Sequence, residues 1–273
     1  MTNSYKYEFV RNSFYDFLQD ERDRIIEELF NYCSDLNDLA RPIEIGEDKN
    51  KGKTGKLQKV SIIDCQDVID RNVLSDNNLK KGIERIWRIN LEKEVKGSEG
   101  FKTSAKTTEI ALLILKKRRS SKYTLYVILI ELKTQLTIKE FTESRRKKDK
   151  DEKAGQLRAI AEKFRCSINR MCMLLTLNNH KNPTRGFAND DISIEFKGVI
   201  FYNTSSIDES KIEKNSDDEK MYRILQRENN LLTLKTILDR KDKMEIRFFR
   251  NKNTKLESMS IEFQEILEQL NII

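Results

Sequence analysis

The chain has 273 residues, enough for one large domain or two smaller ones, and its formal net charge of +7 at pH 7 suits a polyanionic partner. His180 is the only histidine, which excludes mechanisms that need two imidazoles and argues strongly against zinc sites and histidine-based nuclease sites. The cysteines have no CxxC spacing, the N-terminus has no apolar segment resembling a signal peptide, and no stretch is long and apolar enough to span a bilayer. We therefore expect a cytoplasmic protein with reduced thiols and no membrane segment.

The N-terminal part of the chain is predicted to be helical. In residues 7–39, apolar and aromatic side chains recur at three- and four-residue spacings, which predicts one or two helices. Residues 41–59 contain a proline, three glycines and many lysines, and they predict a loop before a short strand at 60–63. This divides the chain into a helical N-terminal region (1–45), a lysine-rich connection (46–59) and an α/β core with a C-terminal extension (60–273).

The first half of the core is predicted to contain one helix and a hairpin. Apolar residues between Leu79 and Leu91 fall on one helical face, which predicts a helix over residues 77–95. Two β-type runs follow at 108–115 and 123–133, and the basic turn between them favours an antiparallel hairpin.

The second half continues the alternation of helices and strands. A strongly periodic apolar stripe begins at Leu157 and predicts a helix, and a further strand is expected at 194–202. Towards the C-terminus the pattern predicts a helix near 220–230, a strand at 244–249 and a final helix over 260–270. The order of elements predicts an α/β fold with a central mixed β-sheet flanked by helices.

The segment 123–133, YTLYVILIELK, is the most informative part of the chain, because an apolar run ends in a glutamate and a lysine. Side chains alternate along a strand, so Glu131 and Lys133 point to the same face, with Val127 and Leu129 behind them. Burying an unpaired charge costs roughly several kcal/mol, and a metal ion with a phosphate at the exposed strand end can offset that cost. The segment therefore predicts a nuclease site.

The order strand, strand, helix and strand, with an acid on the first strand and Glu-x-Lys on the second, resembles the core of the PD-(D/E)XK nuclease superfamily over residues 77–204. Glu131 and Lys133 match the second half of that motif, whereas Thr108 and Glu109 stand where the superfamily has Pro-Asp. The resemblance implies a restriction-endonuclease-like core in which Glu109 and Glu131 bind Mg²⁺ or Mn²⁺. It also implies that Lys133 positions the attacking water.

Other acidic residues are alternatives to Glu109 as the second ligand. Asp64, Asp67 and Asp70 follow the short strand, where they also fit turn and helix-cap positions. If Glu109 is not a ligand, one of these three would take its role.

In some members of the superfamily a glutamate from the first helix completes the metal site. The candidates on the predicted helix 77–95 are Glu84, Glu92 and Glu94, although each of them also fits a solvated helix face. Glu84 is kept as a weaker candidate for the site.

The later helix contains a polar line beside its apolar stripe. Gln156, Lys163 and Arg170 repeat every seven residues, which aligns them along the helix. The position resembles the one from which the RecB-like branch presents a glutamine, but Ile160 replaces the tyrosine of that pattern. Gln156 and Lys163 are weaker site candidates, and Arg170 is expected on the surface.

Two basic clusters favour a nucleic-acid partner, although turns and loops are often simply charged. The cluster in the hairpin turn comprises Lys116, Lys117, Arg118, Arg119 and Lys122. The cluster after the second strand comprises Arg145, Arg146, Lys147, Lys148, Lys150 and Lys153. Contacts to phosphates supply affinity without sequence information, so the clusters predict binding but not specificity.

These features predict a metal-dependent endonuclease that hydrolyses phosphodiester bonds, with DNA favoured over RNA as substrate. The N- and C-terminal additions favour a restriction enzyme or another antiviral defence enzyme, and a homodimer is a further hypothesis. The alternative is a nuclease fold that has lost catalysis and acts as a nucleic-acid-binding or protein-interaction module. In a pure interaction module, Glu131 and Lys133 would form an ordinary surface pair.

Overall fold

The computed structural model describes residues 33–35, 41–46, 57, 59–68, 82–91, 107–117, 123–138, 155–177, 192–235, 241–253 and 258–273. The strands in these ranges are β1 (Cys33–Asp35), β2 (Ile43–Gly46), β3 (Lys59–Ile63), β4 (Gly82–Asn90), β5 (Ile110–Lys117), β6 (Tyr123–Thr137), β7 (Gly155–Gln156), β8 (Ile192–Ser205), β9 (Leu231–Lys235), β10 (Lys241–Arg250) and β11 (Ser258–Glu262). The helices are α1 (Leu157–Leu177), α2 (Asp217–Leu225) and α3 (Phe263–Gln269). None of these helices has both the length and the hydropathy needed to cross a membrane.

The larger sheet is mixed, as the order of predicted elements indicates. Its strand order is β1-β4-β5-β6-β8-β10-β9, with β7 paired to the end of β6. Strands β4, β5 and β6 are antiparallel neighbours, whereas β6, β8 and β10 run parallel. The predicted antiparallel hairpin is therefore confirmed, and α1 is the crossover helix that joins the parallel strands β6 and β8.

Both faces of the larger sheet are covered, which explains why β6 is apolar along most of its length. On one face, Val127 and Leu129 pack with Ile160 and Phe164 of α1. On the other face, Ile128 packs with the smaller sheet, whose strand order is β11-β3-β2, and with α3. Glu131 continues the row of Val127 and Leu129, so its side chain lies on the α1 face.

The predicted helix over residues 77–95 is wrong, because Gly82–Asn90 forms strand β4. Ile83 and Ile86 are three positions apart, a spacing typical of one helical face. In the structure they share a face for a different reason, since the register of β4 against β5 shifts between Ile83 and Arg85. Trp87 and Ile89 then join the opposite core, so β4 is buried on both sides.

Three shorter segments also differ from the sequence predictions. Residues 33–35, within the predicted N-terminal helices, form strand β1 and pair with β4, while residues 7–32 and 36–39 lie outside the described ranges. Residues 43–46, within the predicted loop, form β2 and pair with β3. The final helix begins at Phe263 and not at 260, because Ser258–Glu262 pairs with β3 as strand β11.

Candidate functional site

Strand β6 loses one of its neighbours at Glu131. The pairing of β6 with β5 ends at Ile130 opposite Ile110, and β7 joins β6 only at Leu136. Among the described strands, β8 is therefore the one hydrogen-bonded neighbour of β6 over residues 131–135. The edge of β6 that pairs with β5 up to Ile130 is therefore not paired with a described strand from Glu131 to Gln135.

The carboxylate of Glu131 is completely buried, with 0% of the residue exposed. Its Oε1 atom accepts from the Lys163 ammonium at 2.6 Å and also contacts the Lys133 ammonium. Its Oε2 atom is equally buried and has no hydrogen-bond partner among the described residues. A buried carboxylate oxygen without a donor is costly, so this atom is the strongest indication of a ligand at the site.

Lys163 reaches Glu131 from α1. Leu157, Ile160 and Phe164 of that helix are buried in the core, and Lys163 lies at the margin of the same stripe. The side chains of Lys133 and Lys163 are only 17% and 15% exposed, so their alkyl stems cover apolar surface while their ammonium groups meet at one oxygen. Of the weaker site candidates, Lys163 is the one that lies against Glu131, and its role in a functional site stays a prediction.

Glu109 lies next to Glu131 on the neighbouring backbone. The Glu109 N–H donates to the Ile130 carbonyl at 3.1 Å, and the Glu109 carbonyl accepts from the Leu91 N–H at 3.1 Å. Glu109 directly precedes β5 and belongs to the same alternation as Ala111, which packs on the α1 face. The two glutamates therefore start from adjacent strands on one face, and the Glu109 side chain is partly exposed.

A buried hydroxyl pair holds the start of β5 against α1. The Ser167 hydroxyl accepts from the Thr108 N–H at 2.8 Å and lies 3.0 Å from the Thr108 hydroxyl. Ser167 is not among the site residues predicted from the sequence. The signal was present, because a serine between Phe164 and Ile168 on an apolar stripe needs a polar partner when it is buried.

Arg170 makes a similar contact one turn further along α1. Its guanidinium donates to the Leu91 carbonyl at 2.9 Å, and the Thr107 hydroxyl donates to the same carbonyl at 2.7 Å. The expectation that Arg170 lies on the surface holds only in part, because its side chain is partly buried and ties α1 to the end of β4; burial lowers the pKa of its guanidinium.

Gln156 does not lie with Glu131. Its backbone pairs with Thr137, six positions beyond Glu131 on β6, which corresponds to roughly 20 Å along an extended strand. Within the described part of the chain, α1 thus brings Lys163 to the carboxylate but leaves Gln156 at the far end of β6.

The other acidic candidates lie elsewhere or outside the described ranges. Asp64 and Asp67 are exposed and follow β3, whose sheet packs on the face of β6 opposite Glu131. Glu84 lies in strand β4 and not on a helix. The candidates outside the described ranges are Asp70, Glu92 and Glu94.

Of the two basic clusters, only two residues are described. The Lys116 ammonium contacts the carbonyl of Ile272 and so fastens the C-terminal segment to β5. Lys117 ends β5. The remaining basic residues lie outside the described ranges: Arg118, Arg119, Lys122, Arg145, Arg146, Lys147, Lys148, Lys150 and Lys153.

The two glutamates at the break in the sheet fit a divalent cation. Mg²⁺ is commonly held by one or two carboxylates and completes its shell with water and substrate phosphate oxygens. Glu131 would supply the Oε2 atom that has no described donor, and Glu109 the second carboxylate. Within the described ranges, no three His, Cys, Asp or Glu side chains form a group that could hold a metal, so most ligands would have to be water and substrate.

Comparison with known proteins supplies no relative for this site. No family model, curated protein sequence or solved structure matches the chain.

Proposed function

We propose that the protein is a metal-dependent endonuclease that hydrolyses phosphodiester bonds in DNA. The observation that carries the proposal is the buried Glu131 carboxylate, whose Oε2 atom has no described donor, next to Lys133 at a break in the sheet. A charge that is buried in this way is costly to maintain for stability alone, which favours a role in binding or catalysis.

Glu131, Glu109 and Lys133 would have separate roles in the reaction. Glu131 and Glu109 would hold Mg²⁺ or Mn²⁺, which when bound supplies a Lewis acid and an activated water. Lys133 keeps an ammonium beside that position, and its partly exposed side chain can donate to a phosphate oxygen as negative charge develops there. Together these groups suit the hydrolysis of a phosphate diester by water.

The order of elements supports the same class of enzyme. Strands β5 and β6, helix α1 and strand β8 follow one another in the order required by the resemblance to the PD-(D/E)XK superfamily, with Glu109 before β5 and Glu131 on β6. We extend the proposal to a restriction or other defence enzyme in the cytoplasm. A homodimer would allow both antiparallel strands of a duplex to be cut.

The direct test is cleavage of supercoiled, linear and single-stranded DNA with Mg²⁺ or Mn²⁺, with Glu131→Gln and Lys133→Met compared with the wild type. Each substitution should lower the rate by about 100-fold or more, because each removes a group that acts on the developing charge. Glu265→Gln is the matched control, since Glu265 is an exposed residue of α3, which packs on the opposite face of the sheet. Cleavage that survives both site variants would contradict the proposed site.

A second candidate function follows from the charge on Glu131. Two ammonium groups contact its Oε1 atom, an arrangement that can also neutralise the carboxylate without any metal. The protein would then bind nucleic acid without cutting it. Metal-independent DNA binding by a wild type that cleaves none of the substrates would favour this module over the nuclease.

A further inference from the structure

The three parallel strands of the larger sheet end side by side. Strands β6, β8 and β10 run in the same direction, so their carboxyl ends lie at one end of the sheet. In α/β sheets, ligands commonly bind just beyond such carboxyl ends. The candidate site at Glu131 lies towards this end of β6. A substrate bound there would therefore continue over the neighbouring positions of β8 and β10.

A lysine, a tyrosine and an arginine form a row across these strand ends. Lys133 of β6 is in register with Tyr202 of β8, and Tyr202 is in register with Arg250 of β10. Glu131 is likewise in register with Ile200, which belongs to the core on the α1 face. Because side chains alternate along a strand, the row lies on the same face as Glu131. Neighbouring strands are about 4.8 Å apart, so the row extends roughly 10 Å from Lys133 to Arg250.

Tyr202 is the aromatic member of the row. Its side chain is partly exposed, and its ring packs against Phe248 in a T-shaped arrangement with the ring centroids 6.1 Å apart. Burial raises the pKa of its phenol group, and the positive charges of Arg250 and Arg227 oppose that shift. Both arginines are exposed. An aromatic ring that solvent can reach therefore lies close to two cationic side chains, beside the candidate site.

The ends of β8 and β10 are joined beyond their last paired residues. The Asn251 N–H donates to the Tyr202 carbonyl at 2.7 Å, which continues the pairing past Arg250. The Asn251 side-chain amide also donates to the side-chain oxygen of Asn203 at 3.0 Å, and both asparagines are buried. These contacts fix the backbone that carries Tyr202 and Arg250, so a ligand would meet a preorganised surface.

We propose that Tyr202 and Arg250 form a subsite for an unpaired nucleotide next to the scissile phosphate, so that the substrate is DNA that is single-stranded at the cut. This inference rests on the proposed nuclease function and names the form of its substrate. Proteins hold single strands with aromatic rings on which bases stack and with cations that contact phosphates. The row from Lys133 to Arg250 combines both, over a length of about three stacked nucleotide steps.

The test is the affinity of the full chain for a fluorescein-labelled single-stranded oligonucleotide and for the blunt duplex of the same sequence. Both are measured by fluorescence anisotropy in EDTA, so that no cutting occurs. Tyr202→Leu keeps an apolar side chain against Phe248 but removes the ring. It should weaken binding to the single strand by about fivefold or more, because one base loses its stacking partner, and change duplex binding by less than about twofold. Tyr202→Phe keeps the ring and should bind as the wild type does.

Arg250→Gln tests the same subsite from an exposed position at the end of β10. It should weaken single-strand binding by about threefold or more. It should also lower the slope of log affinity against log salt concentration by about 0.7, because one phosphate contact is lost. Lys59→Gln is the matched control: it also removes one positive charge, but Lys59 pairs with Glu44 in the smaller sheet on the opposite face. It should leave the affinity and the slope unchanged.

The outcomes separate the subsite from the nuclease. Single-strand binding that Tyr202→Leu or Arg250→Gln leaves at wild-type strength overturns the subsite but not the nuclease. An equal loss on the single strand and the duplex in Tyr202→Leu also overturns it, since a paired base is not available for stacking. The expected losses, in a protein whose wild type cuts no DNA with Mg²⁺ or Mn²⁺, support the subsite and overturn the nuclease.

Discussion

The Lys163 ammonium lies 2.6 Å from the Glu131 carboxylate although 32 positions separate the two residues. The contact joins the crossover helix α1 to strand β6 where the strand loses its β5 neighbour. Because Lys163 and the buried Ser167 lie on successive turns of α1, the same helix contacts the side chain of Glu131 and the backbone before Glu109. The position of α1 therefore determines the geometry of the whole candidate site.

The second metal ligand can be identified by comparing two acids. Glu109→Gln should weaken Mn²⁺ binding by tenfold or more, because an amide is a poorer ligand than a carboxylate for a hard cation. Asp64→Asn is the matched control, since Asp64 belongs to the opposite face and asparagine tolerates its positive φ of 59°. Calorimetry with Mn²⁺ measures both. Weaker binding in Asp64→Asn alone would move the second ligand to the smaller sheet.

The two buried glutamates of the described core, Glu131 and Glu245, should differ in their contribution to stability. Glu245→Gln removes the carboxylate paired with Arg247 and the nearer of the two carboxylates paired with Lys197, and should cost about 3 kcal/mol of unfolding free energy. Glu131→Gln should cost less than Glu245→Gln without metal, because the Oε2 atom of Glu131 has no described donor to lose. Urea unfolding in EDTA measures the difference. Equal losses would mean that Glu131 is as structural as Glu245.

The hydroxyl of Ser167 should matter for both stability and the site. Ser167→Ala leaves the buried Thr108 N–H without its acceptor and should lower the unfolding free energy by about 1–3 kcal/mol. Cleavage should fall as well, because Glu109 follows Thr108 directly. Ser206→Ala is the control: it removes an exposed hydroxyl that accepts from Gln135, and the change should stay within about 0.5 kcal/mol. Comparable losses in both variants would contradict the proposed link between α1 and β5.

Cys65 should make stability depend on alkaline pH. Burial, and secondarily the charge of Asp64, raises the pKa of its thiol from 9.0 to about 12. Below pH 9 the thiol is protonated in both the folded and unfolded states, so it adds no pH dependence. Between pH 9 and about 12 the unfolded chain loses this proton first, and the unfolding free energy falls. The unfolding free energy of the wild type minus that of Cys65→Ala, measured by urea unfolding, should therefore be smaller at pH 10 than at pH 8. The same difference at both pH values would contradict the raised pKa of Cys65.

The sequence predicts elements well where one periodicity dominates. The stripe of α1 keeps a helical period over the whole helix, and the apolar strands of the hairpin flank a basic turn, so both are confirmed. Strand β4 was predicted as a helix because its bulge places Ile83 and Ile86 on one face with helical spacing. Strand β11 was not predicted, because its pairing partner β3 lies far earlier in the chain and no local sequence pattern indicates the pairing.

The site could be predicted only in part for a similar reason. The period of a strand places Glu131 and Lys133 on one face, and a seven-residue spacing on α1 indicates Lys163. Which oxygen of Glu131 receives both ammonium groups is a matter of tertiary packing, as is the role of Ser167. Sequence spacing also gave Gln156 the same weight as Lys163, whereas the start of α1 lies far from Glu131.

Strand β6 is paired on both sides over residues 123–130 and is buried on both faces over residues 124–130. Its amides should be among the last in the protein to exchange hydrogen with solvent, because exchange there needs opening close to global unfolding. Glu131 follows directly on this protected backbone, whereas Lys163 reaches it through one long side chain. Slow conformational fluctuations would thus change the distance between Glu131 and Lys163 mainly by displacing α1. Glu131 would keep its position on β6.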